Sequence, residues 1–154
     1  MGSLLSFNEQ ETMKNRGVLI VDDMRMMRMI IASILRDAGI RVLGEAKNGQ
    51  EALQLYTELN PAVVTLDLLM PVMDGFVAME KLLAYDPNAR IIVCSTLQHK
   101  VTIAKALRMG ARDFLVKPFR PDKVRTIIYA LLQEATFQQH TIFKYKGKEN
   151  NLLT

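Results

Sequence analysis

Residues 18–30 read VLIVDDMRMMRMI. Four apolar residues run straight into two adjacent carboxylates, Asp22 and Asp23, and a segment of helical period follows at once. A short, continuously apolar run predicts a strand covered on both faces. Two acids side by side at the end of such a strand repel each other. The unit is therefore a strand, an acidic turn and a helix. The rest of the chain keeps that plan without repeating its sequence.

Working outward, apolar β-branched runs at residues 41–46, 62–66, 90–94 and 113–116 read as four further strands. Amphipathic stretches separate them. The first, 25–38, sets Met27, Ile31, Ile34 and Ala38 on one face and stops at Gly39. The second starts at Asn48, with Glu51 three residues on as a capping-box partner. The third starts at Asp74, a good N-cap, and runs to about 85, before Asp-Pro-Asn. The fourth covers 98–109 and stops at Gly110; the fifth has Pro121 in its first position and runs to about Phe137. Five strand–helix units in strict alternation predict an α/β fold: a doubly wound parallel sheet with helices on both faces and right-handed crossovers.

The bulk numbers agree with one such domain. The chain has 154 residues, 49% hydrophobic and 23% charged, enough apolar material for a core. The net charge of +4 comes from basic residues scattered along the chain, which argues against a nucleic-acid surface. The single cysteine, Cys94, excludes an internal disulfide and suits a reducing, cytoplasmic setting. No apolar run approaches the roughly 20 residues of a membrane span. Residues 1–15 lack the charged and apolar regions of a signal peptide and read as a flexible leader. Residues 139–154 read as a basic polar tail, a frayed extension or the start of a linker.

In open parallel sheets, ligands bind beyond the carboxyl ends of the strands. The residues found there are Asp22 and Asp23 after the first strand, Asp67 after the third, Ser95 and Thr96 after the fourth, and Lys117 after the fifth. Singly, each has an ordinary explanation: an aspartate caps a helix, a lysine is solvated, a serine sits in a turn. Their joint placement does not. Three converging carboxylates need compensation, and an oxygen-only set suits Mg2+. No histidine is near the first or third strand, which argues against zinc. A cation, an acid able to act as nucleophile, a lysine and a hydroxyl together fit phosphoryl transfer to a carboxylate.

The segments VLIVDD, TLDLLMPVMDG, IIVCST and GARDFLVKPF resemble the four signatures of the response-regulator receiver domain of two-component signalling. The resemblance spans residues 16–138 and is strongest to stand-alone, chemotaxis-type regulators. It implies a flavodoxin-like (βα)5 sheet in the order 2-1-3-4-5. It implies that Asp67 is the phosphoacceptor, that Asp23 binds Mg2+ directly and Asp22 mainly through water, and that the Leu69 carbonyl is a further ligand. Ser95 and Phe114 take the places of the switching hydroxyl and aromatic. Lys117 contacts the phosphoryl group, and the Lys117–Pro118 bond is cis. The implied partners are a sensor histidine kinase or histidine phosphotransfer protein and a downstream protein target, met through the fourth helix, fifth strand and fifth helix. The implied protein is a signalling switch rather than a turnover enzyme.

Thr96 departs from the small residue usual in the family, and Leu69 and Leu97 replace residues often polar there. Slow loss of the phosphoryl group is the expectation from this apolar rim. Met24 is expected half-buried at the helix entrance and Met27 in the core. Met26 and Met29 share a face and read as partly exposed, either a docking surface for the phosphohistidine partner or rim packing.

Three other functions compete. A DNA-binding transcriptional regulator needs a further domain, and too few residues follow Phe137 for one, so that reading holds for a truncated chain of which this is the receiver half. Lys144, Lys146 and Lys148 read as a solvated charge run. An aspartyl phosphatase of the haloacid-dehalogenase type wants D-x-D on the first strand, and here the acids are adjacent. A phosphorelay carrier shares the chemistry and differs in partners. Cys94 reads as a small core residue, His99 as surface, and His140 as uninformative.

Overall fold

The computed structural model describes residues 16–96 and 100–151, with side chains described to Gln138. Leu97, His99, the leader and the side chains of the 139–151 segment lie outside the described residues. The elements are β1 (Val18–Val21), α1 (Arg25–Asp37), β2 (Val42–Ala46), α2 (Gly49–Leu59), β3 (Val63–Asp67), α3 (Gly75–Tyr85), β4 (Ile91–Thr96), α4 (Lys100–Met109), β5 (Asp113–Lys117) and α5 (Pro121–Asn151). All four strand pairings are parallel, in the order β2-β1-β3-β4-β5.

Alternation along the strands divides the core in two. Leu19, Val21, Val64, Leu66, Ile91 and Val93 pack on one face against Ala52 and Tyr56 of α2, Ala78, Met79 and Leu82 of α3 and Ala106 of α4. Val18, Ile20, Val63, Ile92, Cys94 and Leu115 pack on the other against Ile31, Ala32 and Leu35 of α1 and Val124, Ile128 and Leu131 of α5. Each fully buried Leu or Ile contributes about 2 kcal/mol by removal from water.

Local chemistry sets the helix ends. Asn48 Oδ1 accepts from Glu51 N (2.8 Å) and Asp74 Oδ1 from Val77 N (3.0 Å), so both expected N-caps are in place. Gly39 adopts φ +73° after α1, and Ile40 N donates to Leu35 O at 2.8 Å, which ends the helix.

Four expectations change. The last helix continues past Phe137 to Asn151. Only one glycine, Gly147, and no proline interrupts that stretch, so nothing in its local sequence forces the backbone out of the helix. The second strand is not covered on both faces: Val42 and Leu43 are half-buried and Glu45 is exposed, because β2 is an edge. Met27 is half-buried rather than core, since it lies in the first turn of α1, above the rim of the sheet. Met24 is 51% exposed for the same reason. Among the described residues, no helix is long and apolar enough to cross a membrane.

Candidate functional site

The register of the sheet assembles the site. Asp67 on β3 lies beside Cys94 on β4, and Thr96 at the end of β4 lies beside Lys117 on β5. Asp22 follows β1, which pairs with β3 through Val21 and Leu66. The carboxyl ends of four strands thus meet at one edge.

Two backbone features shape the floor. A Cβ on Gly75 would meet Asp67 O at 2.3 Å and Leu68 Cα at 2.5 Å, so only glycine lets α3 start directly against the end of β3. Its N–H donates to Leu68 O at 3.0 Å. Between them, Met73 N donates to Pro71 O (2.8 Å), closing a tight turn around Val72. Val72 is 83% exposed and holds φ +71°, a left-handed conformation that a β-branched residue rarely adopts.

The acids converge as expected. One carboxylate oxygen each from Asp22, Asp23 and Asp67 lie within 4.8 Å of one another. Asp22 is 1% and Asp67 5% exposed, whereas Asp23 faces solvent. Lys117 Nζ donates to Asp22 Oδ2 at 2.9 Å and sits 3.4 Å from Asp67 Oδ1. Asp22 Oδ1 also accepts from Met24 N at 2.9 Å, and Asp67 Oδ1 from Leu69 N at 3.3 Å. The Lys117–Pro118 peptide is cis.

Burial, followed by the charge of Asp22, pushes the Asp67 carboxyl up to about 6, against the opposing pull of Lys117 and the Leu69 N–H. It is therefore ionised at neutral pH but unusually basic for a carboxylate. For Lys117, burial opposes the charge, but the Asp22 hydrogen bond and the charges of Asp67 and Asp22 outweigh it and hold the ammonium above its usual range. One lysine balances three acids only in part. The remaining charge, the oxygen-only donors and the solvent-facing Asp23 fit a hard divalent cation such as Mg2+ that keeps some of its water.

Ser95 is 4% exposed, and its Oγ has no hydrogen-bond partner. Thr96 Oγ1 is equally without one. The Thr65 hydroxyl in the middle of β3 is unpartnered too, so what sets Ser95 and Thr96 apart is their place at the carboxyl end of β4, beside the acids. Phe114 is 37% exposed beside a cavity of about 680 Å³ that Lys117, Pro118, Arg120 and Lys123 also line. Leu69 is 57% exposed at the rim. Met26 (65%) and Met29 (57%) are exposed together on the first turns of α1.

One residue at this edge escaped sequence reading. Arg28 Nη1 donates to the main-chain carbonyls of Asp22 (2.8 Å) and Asp23 (3.4 Å), and its Nε faces Glu45 Oε1 at 3.4 Å. The one available signal was a basic residue in the first turn of a helix, where the dipole favours acids.

Comparison with known proteins agrees with this geometry. Residues 18–129 match the response regulator receiver domain family. The chain is 49% identical over 109 residues to the chemotaxis protein CheY of Thermotoga maritima, covering 71% of this chain and 91% of that one. It is 45% identical over 107 residues to CheY of Listeria monocytogenes, covering 70% and 90%. Among solved structures, it resembles the CheX–CheY–BeF3–Mg2+ complex from Borrelia burgdorferi, with a TM-score of 0.71 and 33% identity over 75% of this chain and 88% of that one. The receiver domain of AraT from Geobacillus stearothermophilus gives a TM-score of 0.74 at 29% identity, covering 80% and 98%. With the family matched across most of its length and CheY proteins covered almost end to end, the chain belongs to the response regulator receiver domain family.

Proposed function

We propose that this protein accepts a phosphoryl group from a phosphohistidine on a partner and carries it on Asp67. The carrying observation is a buried, unusually basic carboxylate flanked by Lys117, two further acids and an unpartnered Ser95 hydroxyl. In the transfer, an Asp67 oxygen attacks phosphorus and the P–N bond breaks. The imidazole nitrogen keeps the electron pair, and a mixed anhydride forms on Asp67. Lys117 stands where it neutralises charge growing on the phosphoryl oxygens. Mg2+, held by Asp22, Asp23, Asp67 and the Leu69 carbonyl, supplies further charge neutralisation when bound.

The orphaned Ser95 hydroxyl gains its missing partner by moving to a phosphoryl oxygen. Phe114 follows into the vacated space, and the α4–β5–α5 surface changes for a downstream protein partner. A local charge event coupled to a bistable side-chain pair is a sufficient switch. A cytoplasmic location and a switch without turnover of a free substrate belong to the same reading.

Incubation with radiolabelled acetyl phosphate and Mg2+ tests it. Wild type is expected to label and Asp67→Asn is not; equal labelling of both refutes the assignment. The apolar rim of Leu69, with Thr96 behind it, predicts a label that outlasts seconds, and loss within seconds refutes that part. If Met26 and Met29 dock the kinase, Met26→Lys with Met29→Lys slows labelling by a phosphorylated kinase and leaves labelling by acetyl phosphate intact. Unchanged kinase-dependent labelling returns the two methionines to rim packing.

A further inference from the structure

Helix α1 begins badly by ordinary rules. Its N-cap is Met24, which makes no side-chain cap, and its first turn holds no acid. Instead it carries Arg25 and Arg28, the wrong charge for the positive end of a helix dipole. A residue placed against that preference earns an explanation outside helix stability.

The contacts of Arg28 supply one. Its backbone N–H donates to Met24 O at 3.2 Å, the first bond of the helix. Its side chain reaches back over the same turn, and Nη1 donates to the carbonyls on both sides of the Asp22–Asp23 step, at 2.8 Å and 3.4 Å. Glu45 on β2 adds an ion pair at 3.4 Å from Nε, although Nε itself makes no hydrogen bond. The Arg28 side chain is 16% exposed, so its bond to the Asp22 carbonyl is partly shielded, while the Asp23 carbonyl and the Glu45 side chain, 36% exposed, stay within reach of water. The turn that aims two of the three clustered carboxylates is thus fixed by one side chain from within the helix and one from the neighbouring strand. Asp23 has most need of this, because its side chain is exposed, while the structure gives Asp22 two direct anchors of its own.

We infer that Arg28, held by Glu45, is a positioning residue for the cation site: it fixes the Asp22–Asp23 backbone so that the Asp23 carboxylate stays beside those of Asp22 and Asp67. It touches neither the cation nor the phosphoryl group. This rests on the reading of the acidic cluster as a Mg2+ site.

Titration calorimetry of MgCl2 into the full chain tests it without reference to phosphorylation. Removing a group that orients metal ligands typically weakens binding about tenfold or more, which is the loss expected for Arg28→Ala. Glu45→Gln is expected to weaken Mg2+ by about threefold, and the double variant to be no worse than Arg28→Ala, since Glu45 acts only through the guanidinium. Arg28→Lys, which can meet one carbonyl but cannot also span to Glu45, recovers part of the affinity. Ile34→Val, buried on the same helix, lowers Tm and leaves Mg2+ affinity unchanged. Wild-type affinity in Arg28→Ala overturns the inference, and so does a loss in Ile34→Val that matches it at equal Tm. If Asp23→Asn still binds Mg2+ as wild type does, or wild type binds none, the cation reading itself falls, and this inference with it.

Discussion

The two ends of the sheet are built on opposite terms. At the amino ends of the strands, most polar side chains find a partner of their own, although Glu134 serves both Arg112 and Arg90 and Arg90 Nε makes no hydrogen bond. Tyr56 OH donates to Asp86 Oδ2 at 2.6 Å, Arg16 to Thr136 Oγ1 at 3.1 Å, Arg90 bonds Gln138, and Arg112 pairs with Glu134. At the carboxyl ends, three acids cluster around a single lysine that reaches only Asp22 and Asp67, and the Ser95 and Thr96 hydroxyls have no partner. The same parallel scaffold supports both. The difference teaches that the fold is secured from one edge, which leaves the other free to hold charge in an unsatisfied state until a ligand resolves it.

The sharpest way to break this contrast is Lys117→Ala. It leaves Asp22 and Asp67 buried and unpaired, and loss of one partner from a buried ion pair costs about 3 kcal/mol. Urea unfolding in EDTA is expected to show that loss, with much of it restored by Mg2+. A cost near zero in EDTA would mean that the carboxylates are not competing for compensation.

Asp67→Asn should act in the other direction. The folded carboxyl titrates at about 6 and the unfolded one near 3.8. The native state therefore holds this proton more tightly. As pH rises through the window from 4 to 6, the unfolded chain gives it up first and the native state loses stability. Above that window the whole penalty is present. In EDTA at pH 7.5, Asp67→Asn is expected to melt several degrees higher than wild type, and at pH 4 the gain should vanish. A gain independent of pH would locate the effect elsewhere.

At the opposite edge, Tyr56→Phe leaves Asp86 Oδ2 without its donor and should cost about 1 kcal/mol at pH 7.5, with no change in labelling by acetyl phosphate. Any loss of labelling would join the two ends that the structure keeps apart. The smallest effect belongs to Val72→Gly, which relieves the left-handed backbone but adds freedom to the unfolded chain. The net is a gain of about 0.5 kcal/mol, read as a slightly higher urea midpoint.

Much of this was legible in the sequence because parallel sheets have a simple grammar. A strand covered on both faces ends where polarity begins, so Asp22, Asp67, Ser95 and Lys117 announce one shared edge before any coordinates are known. Asn48 and Asp74 announced their helices for an equally local reason, a side-chain oxygen within reach of an N–H three residues on. What stayed hidden depends on tertiary context. Arg28 looks like any surface arginine until Glu45 arrives from β2. The half-buried state of Met27 depends on how far α1 overhangs the sheet. The exposure of β2 follows from its place at an edge, which no apolar run reveals by itself. The helical backbone past Phe137 defeats periodicity, because periodicity reads packing and not propensity.

The strand register also orders events in time. Asp22 and Lys117 are 95 residues apart in the chain, with Asp67 between them. Their carboxylates and ammonium come together only after β1, β3, β4 and β5 have paired, and such long-range pairings close late because of the loop entropy they must overcome. Pairing of β1 with β3 is enough to bring Asp22 and Asp67 together, whereas the lysine that compensates them arrives only when β5 joins through β4. Substitution of Lys117 should consequently alter how fast the protein unfolds and leave its rate of folding nearly untouched. The compensation that steadies the site, and not the repulsion, belongs to the finished molecule.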